Sequence, residues 1–297
     1  MSGKPTAVLN KRAGVRPEWL KVRVPGDLES LPVSRLLNDL SLNTVCQEAR
    51  CPNIFECWGA GTATFMILGE ICTRRCTFCA VGRGTPLGPE EDEPERVAEA
   101  VERMKVRHAV VTTVNRDDLP DGGAAHFART VLAVRERTGA AVEVLISDLE
   151  GDRDALRTIL AARPEVLAHN IETVPRLYPQ VRPVAKYQRS LDILRWASEE
   201  RHQGMLTKSS LMLGLGETEE EVLEAARALR DNGVDIFTLG QYLAPTGRHH
   251  PVRRYYTPEE FAALGHRARE LGFRHVESAP LVRSSYMAHR AVESAGG

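Results

Sequence analysis

Ile67-Leu68-Gly69-Glu70-Ile71-Cys72-Thr73-Arg74-Arg75-Cys76-Thr77-Phe78-Cys79-Ala80-Val81 carries the reading of the fold. An apolar run over residues 63–68 stops at Gly69, and three cysteines follow with spacing C-x3-C-x2-C. A short apolar run closed by glycine reads as a buried strand. The pattern recurs at 109–114, 142–146, 166–169, 207–213 and 236–239. Between these runs amphipathic helices are expected. Val97, Val101 and Met104 repeat at helical spacing, as do Phe127, Val131 and Val134. Thr218-x-x-Glu221 and Thr257-Pro258-Glu259-Glu260 have the form of capping boxes, the second with proline at the first helical position. Six strand–helix units in alternation predict an α/β fold with a parallel sheet. Right-handed crossovers curl such a sheet into a barrel or partial barrel. Chemistry in these barrels sits at the C-terminal ends of the strands, which is where the cysteine stretch falls. Gly69, Gly82 and Gly84 leave its backbone free to wrap around a bound group.

All six cysteines lie between Cys46 and Cys79, and the other three, Cys46, Cys51 and Cys57, read C-x4-C-x5-C. Thiolates are soft ligands suited to iron–sulfur clusters. A triplet supplies three ligands, one short of closing a four-iron cube, so each site keeps one iron for a ligand that is not cysteine. Disulfides are the plain alternative. The N-terminus MSGKPTAVLN carries no apolar signal segment, and the expectation is the reducing cytoplasm. Structural zinc wants four closed ligands, and neither triplet has a fourth cysteine or a histidine at finger spacing. A thioredoxin-type reading of Cys76-Thr77-Phe78-Cys79 ignores Cys72 and lacks the strand–CxxC–helix setting.

The composition narrows the classes further. The chain has 297 residues, 42% hydrophobic and 27% charged, with formal net charge −1. That is a soluble globular composition with no apolar run approaching the ~20 residues of a membrane span. Near-neutral charge argues against nucleic acid as the partner. The acidic run from Glu90 to Glu95 reads as a solvated helix entry. Gly214-Leu215-Gly216-Glu217 and Asp121-Gly122-Gly123 match no full phosphate-loop pattern and read as tight strand–helix connections. The basic stretch Arg248-His249-His250-Pro251-Val252-Arg253-Arg254 leaves three readings open: a metal site, a dock for an acidic carrier domain, or a surface loop.

C-x3-C-x-Φ-C after the first strand, with Phe78 at the aromatic position, resembles the radical S-adenosylmethionine (SAM) superfamily. The first triplet, within Thr44-Val45-Cys46-Gln47-Glu48-Ala49-Arg50-Cys51-Pro52-Asn53 and Glu56-Cys57-Trp58, is similar to the auxiliary-cluster motif of the lipoyl synthase family. So is the C-terminal Arg283-Ser284-Ser285-Tyr286. The likeness runs from about Pro17 to Tyr286 and includes Arg116-Asp117-Asp118-Leu119-Pro120-Asp121-Gly122-Gly123 and His169-Asn170-Ile171-Glu172-Thr173.

The resemblance implies a partial (β/α)6 TIM-type barrel at 62–278. An N-terminal extension, 1–61, would carry the auxiliary cysteines, and a tail, 279–297, the RSSY motif. It implies two [4Fe–4S] clusters. Cys72, Cys76 and Cys79 would hold the one that binds SAM. Cys46, Cys51, Cys57 and Ser285 would hold the auxiliary one. It implies a sulfurtransferase that inserts two sulfur atoms, at C6 and C8, into a protein-bound N6-octanoyl-lysine. Phe78, Asn170, Glu172, Lys208 and Ser210 are the expected SAM-site residues. For Lys208 a buried carboxylate partner is the alternative, since a buried lysine is costly unless paired. Implied partners are octanoylated lipoyl-carrier domains (2-oxoacid dehydrogenase acyltransferase subunits and the glycine cleavage H protein), reduced flavodoxin or ferredoxin, and a cluster-assembly or carrier protein. Neither nucleic acid nor membrane is expected as a partner. Two other readings compete. One is another two-cluster radical SAM enzyme, which the first triplet and RSSY argue against. The other is a non-catalytic iron–sulfur carrier, which would need no six-unit barrel.

Overall fold

The computed structural model describes residues 16–22, 31–49, 51–59 and 63–286, and the single positions 288, 292 and 295. The expected extensions 1–61 and 279–297 fall partly outside these residues, as does Arg50 of the first-triplet motif. In chain order the strands are β1 (Asn43–Thr44), β2 (Thr64–Ile67), β3 (Ile71–Cys72), β4 (Gly82–Arg83), β5 (His108–Thr113), β6 (Ala141–Leu145), β7 (Val166–Ala168), β8 (Leu206–Leu213), β9 (Ile236–Gln241) and β10 (His275–Ser278). One sheet runs β1-β2-β5-β6-β7-β8-β9-β10. From β2 to β10 every pairing is parallel, and β1 lies antiparallel on β2. β3 and β4 form a separate parallel pair around the second cysteine triplet.

All six strands read from the sequence form, with ends shifted by no more than a residue or two. β2 is buried along its whole length, as a strand packed on both faces requires. Helices cover the outside. Val97 and Val101 of Glu93–Met104 and Phe127, Val131 and Val134 of Ala124–Thr138 are all fully buried. Full burial of such side chains contributes about 1.5–3 kcal/mol each. Thr218 and Thr257 close both expected capping boxes, with Glu221 and Glu260 reaching back.

Two expectations need correction. The sheet has a seventh parallel strand, β10, that the apolar pattern did not give. The acidic run is also not uniformly solvated. Glu93 is buried and accepts from the Leu68 N–H at 2.8 Å and from His126 Nε2 at 2.7 Å, while its acidic neighbours stay exposed. Leu68 has a left-handed backbone, φ 66°, at the exit from β2. That geometry is disfavoured for a side chain bearing Cβ. Glu93 on its N–H and Arg116 on its carbonyl, at 3.0 Å, hold it there.

Candidate active site

A cavity of about 530 Å³ opens at the C-terminal ends of the parallel strands. Its wall includes Met66 of β2, Thr112 of β5, Leu145 of β6, Ser210 of β8 and Gly240 of β9. Cys72, Cys76 and Cys79 line it together with Phe78, Asn170 and Glu172. Residues in the C-terminal halves of these strands therefore face the same space, as the barrel geometry requires.

The loop bearing these cysteines is tied down from several sides. Arg116, fully buried, donates from Nη1 to the Leu68 carbonyl at 3.0 Å and from Nη2 to the Leu87 carbonyl at 2.9 Å, one on each stem of the loop. Asp117 accepts from Arg74 Nε at 2.7 Å and Nη2 at 2.8 Å. Arg74 also reaches the buried Asp148 at 2.7 Å. Although burial raises the Asp148 pKa, the Arg74 guanidinium overrides it and holds the carboxyl down at about 2. The Thr73 N–H donates to the Asn115 carbonyl at 3.1 Å. Thr77 donates its N–H to the Val181 carbonyl, and the His250 N–H donates to the Thr77 carbonyl, both at 2.9 Å. His249 Nε2 donates to the Cys79 carbonyl at 3.1 Å, so its Nδ1 accepts from Thr246 Oγ1 at 2.8 Å. Arg83 Nη2 donates to the Cys76 carbonyl at 2.9 Å.

These contacts decide the basic stretch. His249 serves the cysteine loop, and His250 Nε2 donates to the Leu215 carbonyl at 2.9 Å. Both rings are used within the protein, which argues against the metal reading. Arg254 pairs with Glu260 and covers the Tyr256 ring.

Of the five expected SAM-site residues, four line the cavity: Phe78, Asn170, Glu172 and Ser210. Asn170 Nδ2 donates to Glu172 Oε1 at 3.2 Å. Glu172 is a non-glycine residue at φ 65°, a strained backbone of the kind held at functional sites. Burial pushes its carboxyl pKa up, against the pull of Arg182. Lys208 is the exception. It is 1% exposed and absent from the cavity wall, and its Nζ donates to Glu143 Oε1 at 2.8 Å. His108 Nε2 lies 3.3 Å from the other Glu143 oxygen. Burial pushes the Glu143 carboxyl up, but Lys208 and His108 outweigh it and hold its pKa below the ordinary value. The carboxylate alternative is the one observed.

Asn115 and Arg182, polar residues of the wall with unpaired atoms, were not among the expected SAM-site residues. Asn115 Nδ2, Asn170 Oδ1 and Arg182 Nε are buried without a hydrogen-bond partner among the described residues. Orphaned polar atoms around a cavity are handles for a polar ligand. Arg182 Nη1 meanwhile holds the Asn170 and Ile171 carbonyls, at 2.9 and 3.2 Å. Nothing in the local sequence marks Arg182, because the turn from 175 to 182 brings it back under β7. His169 donates from Nδ1 to the Ile146 carbonyl at 3.0 Å and accepts from Ser190 at 2.9 Å. Burial, aided by Arg182, pushes its pKa down to about 4.

The first triplet folds on two short helices. Thr44 caps Val45–Glu48, which carries Cys46. The Cys51 N–H donates to the Cys46 carbonyl at 3.0 Å, and Ile54–Gly59 carries Cys57. These three cysteines and Ser285 line one small second cavity, although Ser285 is more than two hundred residues away. Asn53 Nδ2 donates to the Leu281 carbonyl at 2.7 Å, Thr64 Oγ1 to Ser285 Oγ at 2.9 Å, and the Tyr286 hydroxyl to Glu56 at 3.0 Å. The RSSY turn is thus docked on the cysteine helices.

All six cysteines are free thiols. Among the described residues no three His, Cys, Asp or Glu side chains are grouped as ligands of a single metal ion; both triplets are open sets facing a cavity. Burial pushes Cys57 up to about 12, with Cys46 and Cys51 adding to it, and burial pushes Cys79 up to about 12. Such thiols ionise when cations arrive to compensate them, as in metal and cluster binding. Among the described residues the buried Trp58 indole N–H has no nitrogen or oxygen acceptor, and it stands close enough to Cys46 to favour its thiolate. A spare donor beside sulfur ligands, three thiols and one hydroxyl fit an auxiliary iron–sulfur cluster. Three cysteines without a fourth ligand, facing a cavity with unpaired polar groups, fit one that keeps an iron for a small-molecule ligand.

Comparison with known proteins gives the family of the chain. The radical SAM superfamily model matches residues 66–229. The lipoyl synthase of Rubrobacter xylanophilus is 59% identical over 281 residues, covering 94% of this chain and 87% of the relative. That of Thermus thermophilus is 56% identical over 278 residues, covering 93% and 86%. Chloroflexus aurantiacus provides another at 54% over 281 residues, covering 94% and 92%. Among solved structures, HydG, a maturase of the [FeFe]-hydrogenase, aligns with TM-score 0.56 at 14% identity over 78% of this chain and 55% of that one. Streptococcus suis SuiB bound to its precursor peptide SuiA gives 0.55 at 12% identity over 78% and 53%. The structural likenesses establish the fold, and the sequence relatives narrow it: this chain belongs to the lipoyl synthase family of the radical SAM superfamily.

Proposed function

We propose that this chain inserts two sulfur atoms, at C6 and C8, into an octanoyl chain held on a carrier-protein lysine, and that its own auxiliary site is the sulfur source. The observation that carries the reading is the meeting of Ser285 with Cys46, Cys51 and Cys57 in one cavity, next to the larger cavity of Cys72, Cys76 and Cys79. A carrier or sensor of electrons needs no cavity of about 530 Å³ beside its ligands. With its cofactors bound, the larger site supplies a SAM-derived radical for hydrogen abstraction and the smaller one supplies sulfide.

The side chains provide holding and exclusion. Cys72, Cys76 and Cys79 ligate the cluster that receives SAM. Phe78, Asn170, Glu172 and Ser210, with Asn115 and Arg182, are placed to orient SAM. Apolar wall residues such as Met66, Met212 and Val282 keep water from a reactive carbon. His169 stays neutral and enclosed by its two hydrogen bonds, so no acid–base pair operates there. A volume of about 530 Å³ is in the range of small-molecule sites. No helix among the described residues is long and apolar enough to cross a membrane. In this reading the substrates are octanoylated lipoyl-carrier domains in the cytoplasm, reduced flavodoxin or ferredoxin delivers electrons, and an assembly or carrier protein restores the auxiliary cluster. The exposed Arg248 and Arg253 remain available to an acidic carrier.

The test is anaerobic. Reconstituted protein is given dithionite, SAM and an octanoyl-lysine peptide, and the peptide is followed by mass spectrometry. Two sulfurs gained, with 5′-deoxyadenosine released, is the expected result. Deoxyadenosine with an unchanged peptide would reject the substrate.

A further inference from the structure

Arg283 lines both cavities. Its Nη1 donates to the Val282 carbonyl at 2.6 Å, and no carboxylate of the described residues pairs with it. The ionisable groups that act on it are Cys51, one of the auxiliary cysteines, and Arg16, a second cation on the wall of the large cavity. Behind it β9 carries Gly240. A Cβ there would stand 3.3 Å from Arg283 Nη1 and 2.0 Å from the Val282 carbonyl oxygen, so the glycine lets the arginine segment lie against the strand. A part-buried cation beside another cation, with no anion paired to it among the described residues, is costly unless a ligand brings the anion. Three thiolates and an ionised serine around an iron–sulfur core bring one, since together they exceed the core's own positive charge.

We propose that Arg283 is a positioning residue whose charge compensates the auxiliary cluster on Cys46, Cys51, Cys57 and Ser285, and so raises that cluster's reduction potential. This rests on the auxiliary-site reading above. Because Arg283 also faces the large cavity, it is the charged part of the wall between the sulfur source and the substrate carbon. An arginine that only shaped the RSSY turn would leave the potential unmoved.

The test uses the full chain with Cys72, Cys76 and Cys79 replaced by alanine, so that only the auxiliary site can load. Its midpoint potential is measured by an EPR-monitored titration with Arg283 intact, with Arg283→Lys and with Arg283→Gln. The expected result is a more negative potential for the glutamine variant and a value near the parent's for lysine. A glutamine variant that loads no iron while the lysine variant loads also supports the proposal. Equal potentials in all three, or loss of the cluster from both variants, overturns it. A parent that itself binds no cluster sinks the auxiliary-site reading, and this proposal with it.

Discussion

Lys208 and Ser210 are two residues apart on β8, so their side chains leave the strand on the same side. They nevertheless do different work. Ser210 reaches the cavity, while Lys208, one step further from the C-terminal end, meets Glu143 of β6. Period-two reasoning finds the face of a strand but not the depth along it, which is why the lysine was legible as inward-facing while its partner, SAM or a carboxylate, stayed open. Asn170 and Glu172 were legible because they follow a strand end directly. Arg182 was not, since only the turn after β7 returns it to the site. The pair carries a prediction. Lys208→Met leaves the Glu143 carboxylate buried without its main counter-charge, and urea unfolding of the cluster-free protein should show a loss of about 3–5 kcal/mol. Adding Glu143→Met should recover most of it. A single variant of unchanged stability with weakened SAM binding would restore Lys208 to the cofactor site.

The connection after β5 is the element that shapes the radical site. Asn115, Arg116 and Asp117 contact the cysteine loop before, within and after its three cysteines. Downstream, Gly122 and Gly123 take φ of 60° and 91°, and a Cβ on Gly123 would come within 2.3 Å of Leu68 Cδ1. The sequence reading of Asp121-Gly122-Gly123 as a tight connection fits this, and both capping boxes were equally plain, because each is fixed by neighbours in sequence. The clasp was not, because its acceptors, Leu68 and Leu87, are main-chain carbonyls that no side-chain pattern reports. Arg116→Lys keeps the charge but loses the fork that spans both carbonyls. Losing one charge-assisted bond, about 1.5 kcal/mol, corresponds to roughly tenfold faster loss of the SAM-site cluster to a chelator. The rate is measured in protein whose auxiliary cysteines are replaced by alanine. An unchanged rate would mean that the loop holds its shape without the clasp.

At the scale of the whole molecule, the chain's two ends make the second site. β10 was missed because His275-Val276-Glu277-Ser278 holds a single aliphatic residue, enough for a sheet edge but too little for an apolar pattern. Once β10 is laid beside β9, the chain returns over Gly240 and sets Ser285 against Thr64 at the start of β2. The first triplet packs on the same edge, where β1 pairs with β2. The barrel was readable from strand–helix alternation. The meeting of the two ends came only from motif resemblance, since no local property of RSSY announces a ligand. In the proposed function this edge stores the sulfur. The most direct test is to reconstitute both sites with isotopically heavy sulfide, remove free sulfide, and allow a single turnover on an octanoyl-lysine peptide. Both sulfurs in the product are expected to be heavy, and replacing Cys46, Cys51 and Cys57 by alanine is expected to leave deoxyadenosine formation but no sulfur in the peptide. Light sulfur in the product, or sulfur insertion by the alanine variant, would contradict it.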